Sequence, residues 1–258
     1  MEKPSSLQML WLKKVGAIFL ALTFWQIAAM KIHSRILLVT PIAVLKRLCT
    51  IWQVENFFSS IWFTFYHIAG GFLLGLILGI LLAFLAHKIP VLEILFWPWM
   101  VTIKSVPVAS FIVICLVWLS VNNLSIFISF LIVLPVIYQN ILTGLKSGNR
   151  EMKEMAQIFR VSPFRKLKYI IIPHLRPYLL SACTVTAGMA WKAGVAAEII
   201  GTPSGSMGKM LFLAKTYLAT DDLLAWTVII VAISVISEKV FLYVLKKLLG
   251  ESKRRDAA

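Results

Sequence analysis

The sequence predicts an all-α, polytopic membrane protein with about six transmembrane helices. Hydrophobic residues make up 60% of the 258 residues, charged residues only 14%, and the mean hydropathy is +0.87. These values are far more apolar than those of an average soluble domain. The apolar residues also form long runs, close to the roughly 20 residues that a helix needs to cross about 30 Å of hydrocarbon.

Six segments have this character along the chain. They are residues 15–30, 61–86, 91–119, 124–143, 178–199 and 223–245. No small-residue cleavage site follows the first segment, so we expect an uncleaved anchor helix rather than a signal peptide. The third contains Pro98 and Pro107, and proline frees backbone groups that must find partners in protein or in a water-filled cavity. We therefore expect a broken third helix that borders a pathway.

The distribution of positive charge predicts the orientation. The net charge is +15, and with both termini in the cytoplasm the inner segments hold 17 Lys and Arg residues against six in the outer segments. This bias is what the positive-inside rule expects. It also leaves no basic patch on a soluble domain, which argues against nucleic-acid binding.

A polar segment, residues 144–177, separates the fourth and fifth apolar runs and carries eight Lys and Arg residues. Four of its apolar residues recur at the spacing of one helical stripe, namely Met152, Met155, Ala156 and Phe159. This spacing predicts a short amphipathic helix. Ser162 and Pro163 predict the capped start of a second helix, which we expect Pro173 to end.

Glycines in the second apolar run are spaced four residues apart, at Gly71, Gly75 and Gly79. On a helix they share nearly one face, where a neighbouring helix can approach closely. We expect a packing seam there. The alternative is that glycine is simply common in membrane helices.

Ionisable residues inside the apolar runs are costly and therefore informative, at about 2.5 kcal/mol or more at mid-bilayer. Lys192 lies roughly 21 Å along the helix from Tyr178, so we expect it on a pathway or dimer interface, or in a purely structural pair. Glu198 is expected at the mouth of the pathway. Lys104 either lines the inner gate or extends to the membrane surface. Glu238 and Lys239 are interpreted as a local charge pair.

The sequence contains neither an H-E-x-x-H nor a G-x-S-x-G catalytic motif. Three scattered cysteines, Cys49, Cys115 and Cys183, and isolated histidines give neither a disulfide framework nor a metal site. The segment 205–210 has no G-x-x-x-x-G-K-[ST] phosphate loop, because Pro203 and Met210 occupy two of its key positions. We expect no catalytic residue, no metal and no cofactor in this chain, although an intramembrane enzyme with an unfamiliar site remains an alternative.

Within the polar segment, Glu154-Met155-Ala156, Arg160, Ile170, Ile172 and Pro173 resemble the cytoplasmic EAA loop of bacterial importer permeases. The family pattern is E-A-A, three residues, G, nine residues, then I-x-L-P, and the spacing fits throughout. Met155 replaces the usual alanine, and Arg160 replaces the usual glycine.

Further motifs resemble the sulfonate, taurine and nitrate branch of that family, over residues 36–249. They are Thr40-Pro41-Ile42-Ala43-Val44, Leu74 with the three glycines, Ser105-Val106-Pro107-Val108-Ala109 with Trp118, Ala190-Trp191, Ala197-Glu198 and Met207-Gly208. Their shared order makes the resemblance more specific than any one motif does.

The resemblance implies a type I ABC importer permease fold in one transmembrane domain, residues 1–258, with an anchor at about 15–30 and a core at about 59–249. It implies a homodimer in the bacterial cytoplasmic membrane, in contact with lipid. Separate ATP-binding cassette subunits would bind ATP-Mg, and an extracytoplasmic binding protein would deliver a small anion or polar organic compound.

Two groups of residues are predicted to carry this function. The expected ATPase-coupling residues are Glu151, Glu154, Met155, Ala156, Phe159, Arg160 and Pro173. The expected pathway residues are Lys104, Pro107, Trp191, Lys192 and Glu198. The alternative function is an ATP-independent channel or secondary transporter, but no convincing inverted repeat supports it.

Overall fold

Helices account for almost all regular structure in the computed structural model, which describes residues 6–32, 37–148 and 150–249. Within the described residues there is no β-strand. The side chains of residues 6–12, 150, 151 and 153 lie outside this description. The predicted all-α fold is confirmed.

Eleven α-helices follow one another in the described part of the chain. They are α1 (Ser6–Ile32), α2 (Pro41–Leu48), α3 (Phe57–Lys88), α4 (Pro90–Ser105), α5 (Val108–Cys115), α6 (Leu124–Lys146), α7 (Arg150–Ile158), α8 (Pro163–Lys166), α9 (Ile172–Gly201), α10 (Met207–Thr216) and α11 (Thr220–Leu248). A π-helical segment, Leu167–Ile171, joins α8 to α9. Short 3₁₀ turns precede α3 and α6.

Five helical stretches are long and apolar enough to cross a membrane, or six if the bent pair α4 and α5 is one span. The bounds of the five unbroken stretches exceed those predicted by hydropathy, and α3, for example, has 32 residues where the sequence predicted 61–86; the bent pair instead ends at Cys115, before the predicted end at 119. Hydropathy detects only the part of a helix that suits hydrocarbon, whereas backbone hydrogen bonding continues into the polar flanks.

The third predicted span is broken, as expected, by a sharp bend. α4 ends at Ser105, α5 begins at Val108, and the two helices meet at 104°. Pro107 is the N-cap residue of α5 and has an extended backbone, with φ −58° and ψ 127°. Because proline disfavours the helical conformation of the preceding residue, Val106 is also extended, and the helix must stop there.

Two compact units make up the fold. The first lies within Met1–Phe58 and Met210–Ile229, and the second lies within Ser59–Lys209 and Ile230–Ala258. In the first unit, the Thr40 side chain caps α2 by accepting the Ala43 N–H at 3.3 Å. Arg47 forms an ion pair with Asp222 in the same unit.

The core of the second unit forms where α5, α6 and α9 meet. Ile112, Leu124 and Ala197 are fully buried there, and Ile128 and Ala193 pack beside them. α9 presents mostly small residues to this core. Small side chains let helix backbones approach closely, which is how membrane helices gain packing contacts.

The glycines of α3 lie against α6. A Cβ atom added at Gly71 would lie 2.2 Å from the Ile126 carbonyl oxygen, and one at Gly75 would lie 2.8 Å from Val133 Cβ. At Gly79 the nearest atoms belong to Ile137, at 2.9 Å. All three distances are below any normal contact, so the seam depends on the missing side chains.

Candidate functional site: the loop helix, the polar cluster of α9 and the charged intramembrane residues

The loop between α6 and α9 begins with the predicted amphipathic helix, α7. Its apolar residues do not form one stripe but face two ways. Ala156 is 3% exposed and packs inward, whereas Met152 borders a cavity beneath the helix but is 41% exposed. Met155, Ile158 and Phe159 face outward and are exposed by 43%, 78% and 74%. The loop helix therefore has an exposed apolar patch on its outer surface.

Charged residues flank this outer face. Glu154 is exposed, and it takes part in an interaction within the chain. Glu151 is helical in its backbone, but its side chain lies outside the described residues. The outer surface of α7 thus combines exposed apolar side chains with at least one carboxylate, a pattern typical of a helix that inserts into a groove of a partner.

α7 ends in a Schellman turn at Arg160. The Val161 N–H donates to the Ala156 carbonyl at 2.9 Å, and the Arg160 N–H donates to the Gln157 carbonyl at 3.0 Å. Arg160 has a φ of 49°, in the left-handed region that glycine occupies most easily. The turn therefore has the geometry that the family's usual glycine would serve, although this chain places an arginine there.

The second loop helix differs from the prediction in two ways. Ser162 forms no side-chain cap, since only its carbonyl is engaged, accepting the Lys166 N–H at 2.9 Å. Pro173 does not end a helix but lies in the first turn of α9, and helical backbone runs from Pro163 to Gly201. The π segment just before Pro173 widens the helix, which accommodates the missing N–H and the ring of the proline.

Glu198, near the end of α9, is fully buried and forms a polar cluster with two other elements. Its Oε2 atom accepts the Thr64 hydroxyl of α3 at 2.7 Å and the Gly208 N–H of α10 at 3.2 Å. Thr64 in turn accepts the Met207 N–H at 3.0 Å. The carboxylate faces protein rather than an open mouth of the chain.

This cluster satisfies the start of α10. The first amides of a helix have no partner within the helix. Here the N–H groups of Met207 and Gly208 go to Thr64 and Glu198, and that of Lys209 goes to Ser206 Oγ at 3.0 Å. A carboxylate at a helix N-terminus also interacts favourably with the helix dipole. The arrangement is a buried cap.

Glycine is the only residue type that fits at position 208 in this cap. A Cβ atom at that position would lie 2.3 Å from Glu198 Cβ. Sequence patterns indicate Glu198 and the Met207-Gly208 pair but not Thr64, which looks like an ordinary residue of an apolar span. Its position could not be found from periodicity, because its partner is 134 residues away.

Trp191 and Lys192 are neighbours in sequence but point in different directions from α9, about 100° apart around the helix. Trp191 is buried, 6% exposed, and its ring lies 6.5 Å from that of Phe65. It borders an apolar cavity of about 580 Å³ between α3, α9 and α11. Lys192 is exposed on the surface of the chain, with no ion pair among the described residues.

Glu238 of α11 borders the same cavity as Trp191. Its Oε2 atom points toward α9, 4.0 Å from the position of a Cβ at Gly188. The interpretation of Glu238 and Lys239 as a local charge pair is wrong: the described residues show no ion pair between them. Lys239 is exposed, and adjacent residues on a helix point in different directions.

Lys104 lies in the last turn of α4, and Pro107 lies at the bend that follows it. Both are exposed in the single chain. A cation in the last turn of a helix is favourable because the free carbonyl groups carry partial negative charge. The bend therefore places one positive side chain beside the break in the third span.

Among the described residues no group of three or more His, Cys, Asp or Glu could hold a metal ion. The predicted site residues do not come together in one place. Glu198 contacts Gly208, the residues predicted to couple to an ATPase lie in the loop and at the start of α9, and Lys104 and Lys192 lie apart at the chain surface.

Residues 75–255 match the model of a protein family described as the binding-protein-dependent transport system inner membrane component. The chain belongs to this family. The permease resemblance predicted from the loop is thereby confirmed, and the protein is a multi-pass membrane component of a transport system.

Similar permeases occur in several organisms. The chain is 24% identical over 251 residues to a putative aliphatic sulfonates transport permease protein, SsuC, of Bacillus subtilis, covering 96% of this chain and 90% of the relative. It is 25% identical to the taurine transport system permease protein TauC of Escherichia coli, covering 87% and 84%. It is 29% identical to the bicarbonate transport system permease protein CmpB of Synechocystis, covering 58% and 53%.

A solved structure supports the fold. It is described as a crystal structure of an amino acid ABC transporter with histidines, and it matches this permease with a TM-score of 0.55 at 16% identity. The match covers 81% of this chain and 97% of the other. At that identity the similarity establishes the helical permease fold alone.

Proposed function

We propose that this permease is the membrane-spanning subunit of an ATP-driven importer, in which α7 transmits force from a separate ATPase. The outward apolar face of α7 carries this proposal. Met155, Ile158 and Phe159 expose large apolar surfaces in a loop that is rich in charged residues. Exposed apolar patches of this kind mark binding surfaces, because leaving them in water is unfavourable.

Several features of the loop suit force transmission. Ala156 anchors α7 from beneath, and the Schellman turn at Arg160 fixes the direction of the chain that follows. The helical backbone then continues from Pro163 into α9. A displacement of α7 would thus be passed to a membrane-spanning helix through a short, hydrogen-bonded connection rather than through a flexible linker.

We further propose that the substrate is a small anion, such as a sulfonate. Relatives named for aliphatic sulfonates, taurine and bicarbonate support an anionic substrate class. Lys104 and Lys192 offer positive charge at the chain surface, where a pathway between two copies would run. In this proposal the whole chain acts as one permease domain with both termini in the cytoplasm, and a binding protein delivers the anion from outside.

The test is a charge reversal on the coupling helix. Tagged Glu154→Lys and wild-type chains would be purified in mild detergent from the native host, and co-purifying ATPase would be quantified by mass spectrometry. Glu55→Lys is the matched control, because Glu55 is also an exposed carboxylate but precedes α3, far along the chain from the loop. We expect wild type and the control to retain the ATPase and Glu154→Lys to lose most of it.

A second readout covers transport. The complex would be reconstituted in vesicles with ATP inside, and uptake of labelled taurine, delivered by the co-purified binding protein, would be measured. Unchanged ATPase recovery in Glu154→Lys would contradict the coupling role of α7. Uptake by the chain alone, without ATPase or ATP, would instead support a channel or secondary transporter.

A further inference from the structure

A second cavity, of about 510 Å³, lies beneath the loop helix at the end of α3. Its walls come from α3, α6, α7, α8, the π segment and α9, and they include Phe84, Leu145, Met152 and Ile171. The proposed coupling surface is on the outside of α7, whereas this cavity is on its inner side. Its volume lies in the range of small-ligand pockets.

Basic residues form the polar part of the cavity lining. They are His87, Lys88, Lys166 and His174. No acidic residue is among the described residues that line it. The cavity thus combines an apolar interior with positive charge only.

Two of these basic residues are available to a ligand. Lys88 and Lys166 form no ion pair in the described part of the chain. The nearby carboxylate Glu93 is already paired with Lys146, at 2.5 Å. His174 is already engaged, with Nε2 3.0 Å from the Gly144 carbonyl and 3.3 Å from Ser147 Oγ. Lys88 and Lys166 come from different elements, so an anion between them would connect α3 to the loop.

The position of the cavity fits a membrane surface. α3 ends at Lys88 and α6 ends at Lys146, so the cavity lies where two membrane-spanning helices leave the apolar layer. Lipid headgroups and the first part of their acyl chains occupy this depth. Lysines near the surface of a membrane attract anionic lipids, with about 1 kcal/mol for each residue.

We infer that this cavity binds one anionic phospholipid, with its phosphate between Lys88 and Lys166 and part of an acyl chain along Phe84 and Ile171. Charge complementarity selects the anionic headgroup, and the apolar walls select a chain-bearing lipid over a free anion. The bound lipid would hold the inner side of the loop against the end of α3. This site is separate from the proposed pathway and does not depend on the identity of the substrate.

The experiment measures lipid binding to the full chain in detergent. Native mass spectrometry would titrate dioleoyl-phosphatidylglycerol and, separately, dioleoyl-phosphatidylcholine against wild type, Lys88→Gln/Lys166→Gln and Arg165→Gln/Lys168→Gln. The last variant is the matched control, because it also removes two positive charges from this region but neither residue lines the cavity. Gel filtration and circular dichroism would verify that all three chains are folded.

We expect wild type and the control to bind one phosphatidylglycerol in preference to phosphatidylcholine. The Lys88→Gln/Lys166→Gln variant should bind phosphatidylglycerol about 25-fold more weakly, from roughly fivefold for each lysine. Equal binding of the two lipids by wild type would overturn the inference, as would equal losses in the two double variants. Displacement of the lipid by millimolar inorganic phosphate would also contradict it, because the site would then be one for a free anion.

Discussion

Replacement of Gly71 by alanine tests the packing seam between α3 and α6. An ideal Cβ atom at this position lies 2.2 Å from the Ile126 carbonyl oxygen and 2.9 Å from Ser129 Cβ. Ordinary contacts begin near 3.4 Å, so the helices would have to separate by about 1 Å. A backbone carbonyl cannot rotate out of the way as a flexible side chain can.

The expected loss of stability follows from two opposing terms. Alanine is favoured over glycine in a helix by up to about 1 kcal/mol. Overpacking costs about 1–3 kcal/mol, and the upper end applies because the obstacle is backbone and because Gly75 and Gly79 lie on the same seam. We expect Gly71→Ala to lower the free energy of unfolding by about 2 kcal/mol.

Gly70→Ala provides a control in the adjacent position. No atom lies within 4 Å of its ideal Cβ, so only the helix term applies and the variant should be unchanged or up to about 1 kcal/mol more stable. Unfolding in mixed detergent micelles, followed by tryptophan fluorescence, would measure both variants. The difference should be about 2–3 kcal/mol, and equal stabilities would refute the idea that the glycines form the seam.

Two further predictions concern the loop turn and the buried cap. Arg160→Gly should stabilise the end of α7 by about 0.5–1 kcal/mol, because it removes about 1–2 kcal/mol of backbone strain in the left-handed conformation but increases the entropy of the unfolded chain. Hydrogen exchange of the Val161 amide would measure this gain. An equal gain in Arg160→Ala would show that it comes from loss of the charge instead. Glu198→Ala should lower the free energy of unfolding by about 2–3 kcal/mol, because it leaves the Thr64 hydroxyl and the Gly208 N–H buried without their acceptor. Glu198→Gln keeps an accepting oxygen, so detergent unfolding should find it close to wild type; a loss as large as that of Glu198→Ala would show that the charge itself is required.

The sequence alone was sufficient for the class of protein and for the positions of its membrane helices. Apolar runs of about 20 residues can be recognised from local sequence alone. Such a run forms a helix because backbone N–H and C=O groups without hydrogen-bond partners are too costly to place in lipid. The break at Pro107 was predictable for the same reason, since proline acts on its immediate neighbours. The loop motif was sufficient to predict the family, which is confirmed. The coupling role of the loop stays a prediction.

Two predictions that rested on local sequence rules, at Pro173 and Ser162, were wrong. Pro173 was expected to end a helix, but a π segment just before it lets the helix continue into α9. Ser162 had the right type and position for a cap, yet its side chain forms no such bond. Propensity describes what a residue permits, whereas the backbone conformation of the neighbouring segment decides whether it is used.

Only the tertiary structure decided which face of each helix is used. The apolar residues of α7 form one stripe in sequence, but contact with the rest of the chain divides them into a buried side at Ala156 and an exposed side at Phe159. The roles of Thr64 and Glu198 depend on each other across 134 residues, and no spacing rule connects them. Helix periodicity determines which residues share a face of a helix. Which other helix packs against that face depends on contacts between residues far apart in sequence. A buried polar group therefore acquires its hydrogen-bond partner, and with it its role, only in the folded chain.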